Sequence, residues 1–209
     1  MTTPWQRYQA DLAREDFSHD PAQEEAVRLL QDLYERLVSA HDTREGGLGG
    51  LLRRFRKREV EPEIGLYFWG GVGRGKTYLV DTFFECLPFE RKLRTHFHRF
   101  MQRVHGELRD LEGEKNPLEI VAQRLADEAR VLCFDEFFVT DIGDAMILGG
   151  LMESLFSRGV TLVATSNIVP EKLYEDGLQR QRFLPAIALV QKYPKVVNVD
   201  GGTDYRLRP

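Results

Sequence analysis

Gly70-Gly71-Val72-Gly73-Arg74-Gly75-Lys76-Thr77 satisfies the pattern G-x-x-x-x-G-K-[ST] and follows directly on the apolar run Ile64 to Trp69. A buried strand running into such a loop is the sequence mark of a phosphate cradle. Phosphate oxygens must be met by several backbone N–H groups at once, and glycines let the chain curl around them without Cβ clashes. In this reading Lys76 neutralises the β- and γ-phosphates and Thr77 offers its hydroxyl to Mg²⁺. A helix opening near Gly75, with Tyr78, Leu79, Thr82 and Phe83 in its pattern, adds an N-terminal dipole that favours a multiply charged anion. The nucleotide-contacting set is therefore Gly70, Gly71, Val72, Gly73, Arg74, Gly75, Lys76, Thr77 and Tyr78. A Gly-rich turn matching by accident is the alternative. With Gly at ~7% of average usage, that has a probability on the order of a percent in a chain this long.

Val131-Leu132-Cys133-Phe134-Asp135-Glu136 runs four apolar residues into two carboxylates. A parallel strand buried on both faces has this pattern, and its carboxyl end is where ligands bind. Asp135 is placed to hold the Mg²⁺ shell and Glu136 to polarise an attacking water. A core strand ending in a solvated acidic turn would look similar in isolation. The distance after the phosphate loop, with room for one intervening strand, favours the catalytic reading. A third apolar strand, Thr161 to Ser166, ends at Asn167. In such a sheet its end lies beside the first strand, where the Asn167 amide reaches the γ-phosphate or the water. The bland alternative is a turn leading to Pro170.

The 209 residues, 42% hydrophobic and 30% charged, fit one α/β domain with a helical extension. A net charge of -4 argues against nucleic acid as an obligatory partner. Cys86 and Cys133 form no C-x-x-C pair, which points to a reducing compartment. No apolar run reaches the ~18 residues of a membrane span, and the acidic N-terminus does not resemble a signal peptide, so the expected location is cytoplasmic.

The order of elements sets the expected architecture. Residues 1 to 20 read as polar and loosely ordered, and Asp20-Pro21 opens a helix to about Ala40. A Gly-rich stretch and the basic run Arg53 to Arg58 follow. That run reads as a solvated linker or helix face rather than a nucleic-acid or membrane contact. Strands are expected at Lys92 to Phe97, Val160 to Thr165 and Lys195 to Val199. Helices are expected at Phe100 to Leu111, Leu118 to Asp127, Asp141 to Ser157, Glu171 to Leu178 and Phe183 to Tyr193. Strands alternating with helices predict parallel crossovers and a three-layer α/β sandwich with about five strands. Residues 1–60 are expected to form an N-terminal helical extension and linker, and 61–209 the nucleotide-binding core. His96 and His98, read on one strand face, and His105 lack a cysteine at a plausible spacing, so they read as structural histidines near the nucleotide or a subunit boundary rather than zinc ligands.

Several segments together resemble the Afg-type branch of the AAA+ ATPases, a P-loop NTPase family with bacterial cell-division and mitochondrial members. They are Leu66 to Thr77, His96-Phe97-His98-Arg99-Phe100-Met101, Cys133-Phe134-Asp135-Glu136-Phe137, Val139-Thr140-Asp141-Ile142, Thr165-Ser166-Asn167 and Arg182 to Ile187. The likeness covers about residues 5 to 207. It implies an ATPase, with ATP and Mg²⁺ as ligands, that associates with the division ring and destabilises polymers of the tubulin-like division protein. By the same resemblance Gly70 to Thr77 are the Walker A segment, Asp135 and Glu136 the Walker B pair, and Asn167 the first sensor. Arg180 and Arg182 both stand where this superfamily places an in-trans arginine finger, implying a homo-oligomer with shared sites. Surface arginines paired with Glu175 or Asp176 are the plain alternative. Gln23 resembles an adenine-reading glutamine, although a polar helix face would look the same. Such proteins continue past Pro209 into a small helical lid with a second sensor. The resemblance therefore implies a chain without its lid, with weak binding and slow hydrolysis.

Other classes are open at this point. A GTPase would show an N-K-x-D-like guanine reader, and Ile168-Val169 after Asn167 does not supply one. A small-molecule kinase and a nucleotide-binding assembly adaptor with little hydrolysis both remain to be separated by measurement.

Overall fold

The apolar runs become strands because each presents alternate side chains to two different apolar layers. The computed structural model describes residues 1–45, 60–73 and 75–200. Within it β1 (Gly65–Trp69), β2 (Lys92–His96), β3 (Val131–Asp135), β4 (Thr161–Ser166) and β5 (Pro194–Asn198) form one all-parallel sheet in the order β2-β3-β4-β1-β5. Leu66, Phe68, Val131, Cys133 and Val163 face a buried cluster beneath α1 (Pro4–Leu12), α2 (Pro21–Glu45) and α3 (Gly75–Cys86). Tyr67, Leu132, Phe134, Leu162 and Ala164 face another beneath α4 (Phe97–Asp110), α5 (Pro117–Glu128), α6 (Ile142–Ser157) and α7 (Leu184–Lys192). The predicted three-layer sandwich with five parallel strands is thus the observed one. Burial on both faces explains why the central strands read as unbroken apolar runs. It also pushes the Cys133 thiol up to about 12, which makes it an inert core group.

The N-terminus differs from the expectation of loose order. Thr3 and Gln6 form a reciprocal capping box, Pro4 occupies the first turn, and Tyr8 is fully buried. Arg7 pairs with Glu85, and Asp11 accepts the Tyr78 hydroxyl at 2.7 Å, so α1 is held by α3 rather than by its own propensity. The helix opened by Asp20, whose carboxylate accepts the Ala22 N–H at 2.9 Å, runs to Glu45 instead of Ala40. α4 begins at Phe97, three residues before the expected start, because Phe97, Phe100, Met101 and Val104 form one buried stripe. His98 therefore lies in a helix, not beside His96 on a strand face. The helix expected over Glu171 to Leu178 is only a 3-10 turn, Pro170–Lys172, because Tyr174 and Gln179 take left-handed φ values of 55° and 56°. The basic run Arg53 to Arg58 lies outside the described residues, as does Arg74.

Gly65 starts β1 where the strand passes close to β4. A Cβ there would lie 1.7 Å from the Leu162 carbonyl oxygen, and backbone cannot move aside as a flexible side chain can. Gly65→Ala is expected to destabilise the fold by about 3 kcal/mol. Thermal melting checks this, with a fall of roughly 6–12 °C expected for a chain of this size.

Candidate nucleotide-binding site

Parallel pairing brings the strand ends to one edge of the sheet. Trp69 pairs with Ser166 and Asn198, and His96 pairs with Asp135. The residues just after these ends converge there. Gly70 to Thr77 wrap from β1 into α3, and the Gly70 N–H donates to the Ser166 carbonyl at 3.2 Å, which ties the base of the loop to the end of β4. Asn167 follows Ser166 and is exposed beside that base. In the first turn of α3 the N–H groups of Gly75, Lys76 and Thr77 have no intrahelical acceptor, so they are the natural anion donors.

Lys76 is nearly buried, and its ammonium donates to the Gly70 carbonyl at 2.8 Å and to the Gly71 carbonyl. Two of its three donors are spent on orienting it, which leaves one for a ligand oxygen. Burial lowers its pKa below the usual lysine value, and the Asp200 carboxylate pulls it back up. Thr77 and Val72 are exposed, Val72 almost completely. Tyr78 is tied elsewhere by its side chain, to Asp11 and to the Phe17 ring at 5.2 Å, which anchors the first turn of α3 to the N-terminal segment. Gln23 is brought to the loop from α2, with Nε2 3.8 Å from the position a Cβ on Gly75 would take.

At the end of β3 the two carboxylates have different surroundings. Asp135 is largely buried and is gripped by Arg94 from β2, Nε to Oδ2 at 2.8 Å and Nη2 to Oδ1 at 3.1 Å. Glu136 is exposed, with Oε2 3.8 Å from His96 Nδ1. Its φ of 56° is a left-handed conformation that a side-chain-bearing residue rarely adopts. The end of β4 holds it there: Glu136 N–H donates to Thr165 Oγ1 at 3.3 Å, Phe137 N–H to the Thr165 carbonyl at 2.7 Å, and Ser166 Oγ to the Phe137 carbonyl at 2.7 Å. A cleft of about 280 Å³ lined by His96, Phe97, His98, Arg99, Asp135 and Glu136 opens at this point.

Arg180 and Arg182 lie in the 3-10 turn Arg180–Arg182 that precedes α7. Arg180 braces that turn, donating to the Tyr174 carbonyl at 3.1 Å and the Glu171 carbonyl at 2.6 Å. Arg182 is exposed and, among the described residues, bonds only within its own turn, to Gln179 Oε1 at 3.0 Å.

Two polar groups at this edge escape a reading of the sequence. Both Asp200 carboxylate oxygens accept the Gly71 N–H at 2.8 Å, so an internal anion already sits on the rim of the loop. β5 lies beside β1, and a residue two past one strand end meets a residue two past the other. Arg94 is the other. Its only signal is a lone arginine in a short strand, and only the register Arg94 to Cys133 places it on the face of Asp135.

The family model of AFG1-like ATPases matches residues 2–209. The chain is 53% identical over 212 residues to the cell division protein ZapE of Escherichia coli, an alignment covering 99% of this chain and 56% of that protein. The chain belongs to the AFG1-like ATPase family. Lactation elevated protein 1 homolog B of Danio rerio is 44% identical over 158 residues, covering 70% of this chain and 31% of that one. The chain spans about half the length or less of these curated relatives. Among solved structures, domain III of the Thermotoga maritima replication initiation protein DnaA superposes with a TM-score of 0.58 at 19% identity, covering 88% of this chain and 65% of that one. This likeness shows the fold alone, a three-layer α/β sandwich around a parallel sheet. Among the described residues no helix is long and apolar enough to cross a membrane.

Proposed function

We propose that this AFG1-like chain is a Mg²⁺-dependent ATP hydrolase whose site is completed by a neighbouring copy. The observation that carries the reading is the convergence of a loop with an oriented ammonium, Lys76, and a strand end carrying Asp135 and Glu136 on one sheet edge. Thr77 and Asp135 offer hard oxygen donors, the type a magnesium ion takes. A magnesium ion held there would supply charge neutralisation on the triphosphate. Lys76 and the N–H groups of the loop and of the first turn of α3 hold the phosphates, the Gly70 N–H being spent on the Ser166 carbonyl, and Gln23 lies at the adenine side. Glu136 accepts the proton of the attacking water and Asn167 orients that water.

The arginine of a neighbour completes the charge balance in the transition state, and Arg182 is our choice. Arg180 has its guanidinium committed to two carbonyls, whereas Arg182 is exposed and held by one bond to its own turn. Arg182→Ala is expected to lower phosphate release on the order of a thousandfold while leaving ATP affinity and melting temperature near those of the parent chain. Arg180→Ala should instead lower the melting temperature. Mixing Arg182→Ala with Lys76→Ala protein should restore part of the activity, since each brings the part the other lacks. No restoration at any mixing ratio would remove the shared site.

The Escherichia coli relative ZapE is a cell division protein. We therefore infer that the acceptor of the hydrolysis energy is a polymer of the tubulin-like division protein, destabilised at the division site, and not nucleic acid. Phosphate release measured against protein concentration, with and without that polymer, tests the whole reading. Steeper-than-linear growth and shortening of the polymer only in ATP are expected. ATP binding without phosphate release would favour an assembly adaptor, and turnover linear in protein concentration would favour a small-molecule kinase.

A further inference from the structure

Arg94 joins the two elements that carry the metal-ligand candidates. Its side chain is only 20% exposed. One edge of the guanidinium, Nε and Nη2, takes both oxygens of Asp135 at the end of β3, and the remaining nitrogen, Nη1, donates to Asp81 of α3. Asp81 stands four residues after Thr77, one turn further along the same helix. A single rigid fork thus bolts the helix of Thr77 to the strand end of Asp135. Arginine suits this task, because its planar donors fix distance and orientation together.

We propose that Arg94 is a positioning residue for the divalent cation: it sets the separation between the Thr77 helix and the Asp135 strand end, and it offsets the charge of Asp81 and Asp135 so that the cation enters only with the triphosphate. The inference rests on the ATPase reading above. A carboxylate oxygen has two acceptor positions, and Arg94 uses one on each Asp135 oxygen, leaving the others for the metal or its waters. Magnesium tolerates little departure from octahedral geometry, so its donors must be held before it arrives. Asp81, Arg94 and Asp135 together carry one net negative charge. Without the guanidinium they carry two in a half-buried place, which would attract a cation with no nucleotide present.

The test compares the affinity of N-methylanthraniloyl-ATP in Mg²⁺ and in EDTA, together with Mn²⁺ binding to the nucleotide-free protein by electron paramagnetic resonance. In Arg94→Gln the affinity in EDTA should stay near that of the parent chain, while the gain on adding Mg²⁺ should shrink roughly tenfold. Mn²⁺ should bind the nucleotide-free variant at concentrations where the parent chain binds none. Asp81→Asn, which frees one end of the fork at a more exposed position, should move the gain the same way by a smaller factor. Equal loss in Mg²⁺ and EDTA would show a purely structural bridge and overturn the proposal, as would an unchanged gain. If Arg94→Gln does not fold, an unchanged gain in Asp81→Asn overturns it alone. Absence of nucleotide binding by the parent chain in both buffers would instead sink the ATPase reading.

Discussion

Lys76→Ala is expected to abolish measurable ATP binding. The ammonium is nearly buried and tethered to the carbonyls of Gly70 and Gly71, so it meets a phosphate already oriented and largely stripped of water. Charge-assisted hydrogen bonds of this kind are worth about 1.5–3 kcal/mol each. The loss has a second part. Asp200 sits on the Gly71 N–H, and without Lys76 its carboxylate faces an incoming triphosphate unopposed. Together these should weaken affinity on the order of 100-fold or more. The variant should melt no lower than the parent. Burial holds the Lys76 pKa below its ordinary value, so the unfolded chain binds that proton more tightly and the buried charge opposes folding at neutral pH. Calorimetric titration with ATP in magnesium buffer, beside a thermal melt, checks both halves. Affinity within threefold of the parent would remove the loop from nucleotide binding.

Glu136→Gln is expected to keep ATP and fail to hydrolyse it. Glutamine matches the shape of glutamate and keeps the same left-handed backbone, so the strained turn held by Thr165, Ser166 and Phe137 should persist. What disappears is the basic oxygen that accepts a proton from water. A positioned general base contributes about 10²–10⁴ in rate, and the single-turnover rate of phosphate release should fall by that factor. ATP affinity should remain unchanged, and bound nucleotide recovered from the variant should be ATP rather than ADP. Parent-like hydrolysis would move the base role elsewhere at this edge.

The central strands and the loop were legible in the chain because burial on both faces leaves an uninterrupted apolar run with a glycine or polar residue at its carboxyl end. β1 before Gly70, β3 before Asp135 and β4 before Asn167 all follow this rule. α1 was not legible. It is nine residues long, and what holds it, Tyr8 in a shared core and Asp11 on Tyr78, lies far away in sequence. The failed helix after Pro170 has a different cause: its pattern is apolar enough, but Tyr174 and Gln179 take left-handed turns that no periodicity records.

What the amino-acid order determined by itself is the chemistry available. Glycines, one lysine, one threonine and two carboxylates follow buried strands, and that local grammar needs only the chain's own covalent sequence to be read. Tertiary structure decided which of these groups meet. The strand order β2-β3-β4-β1-β5 sets Arg94 against Asp135 and Asp200 against Gly71, and the packing of α2 on the sheet brings Gln23 near Gly75. These are contacts between elements dozens of residues apart. Their energies depend on distance in space and on exclusion of water, which only packing establishes.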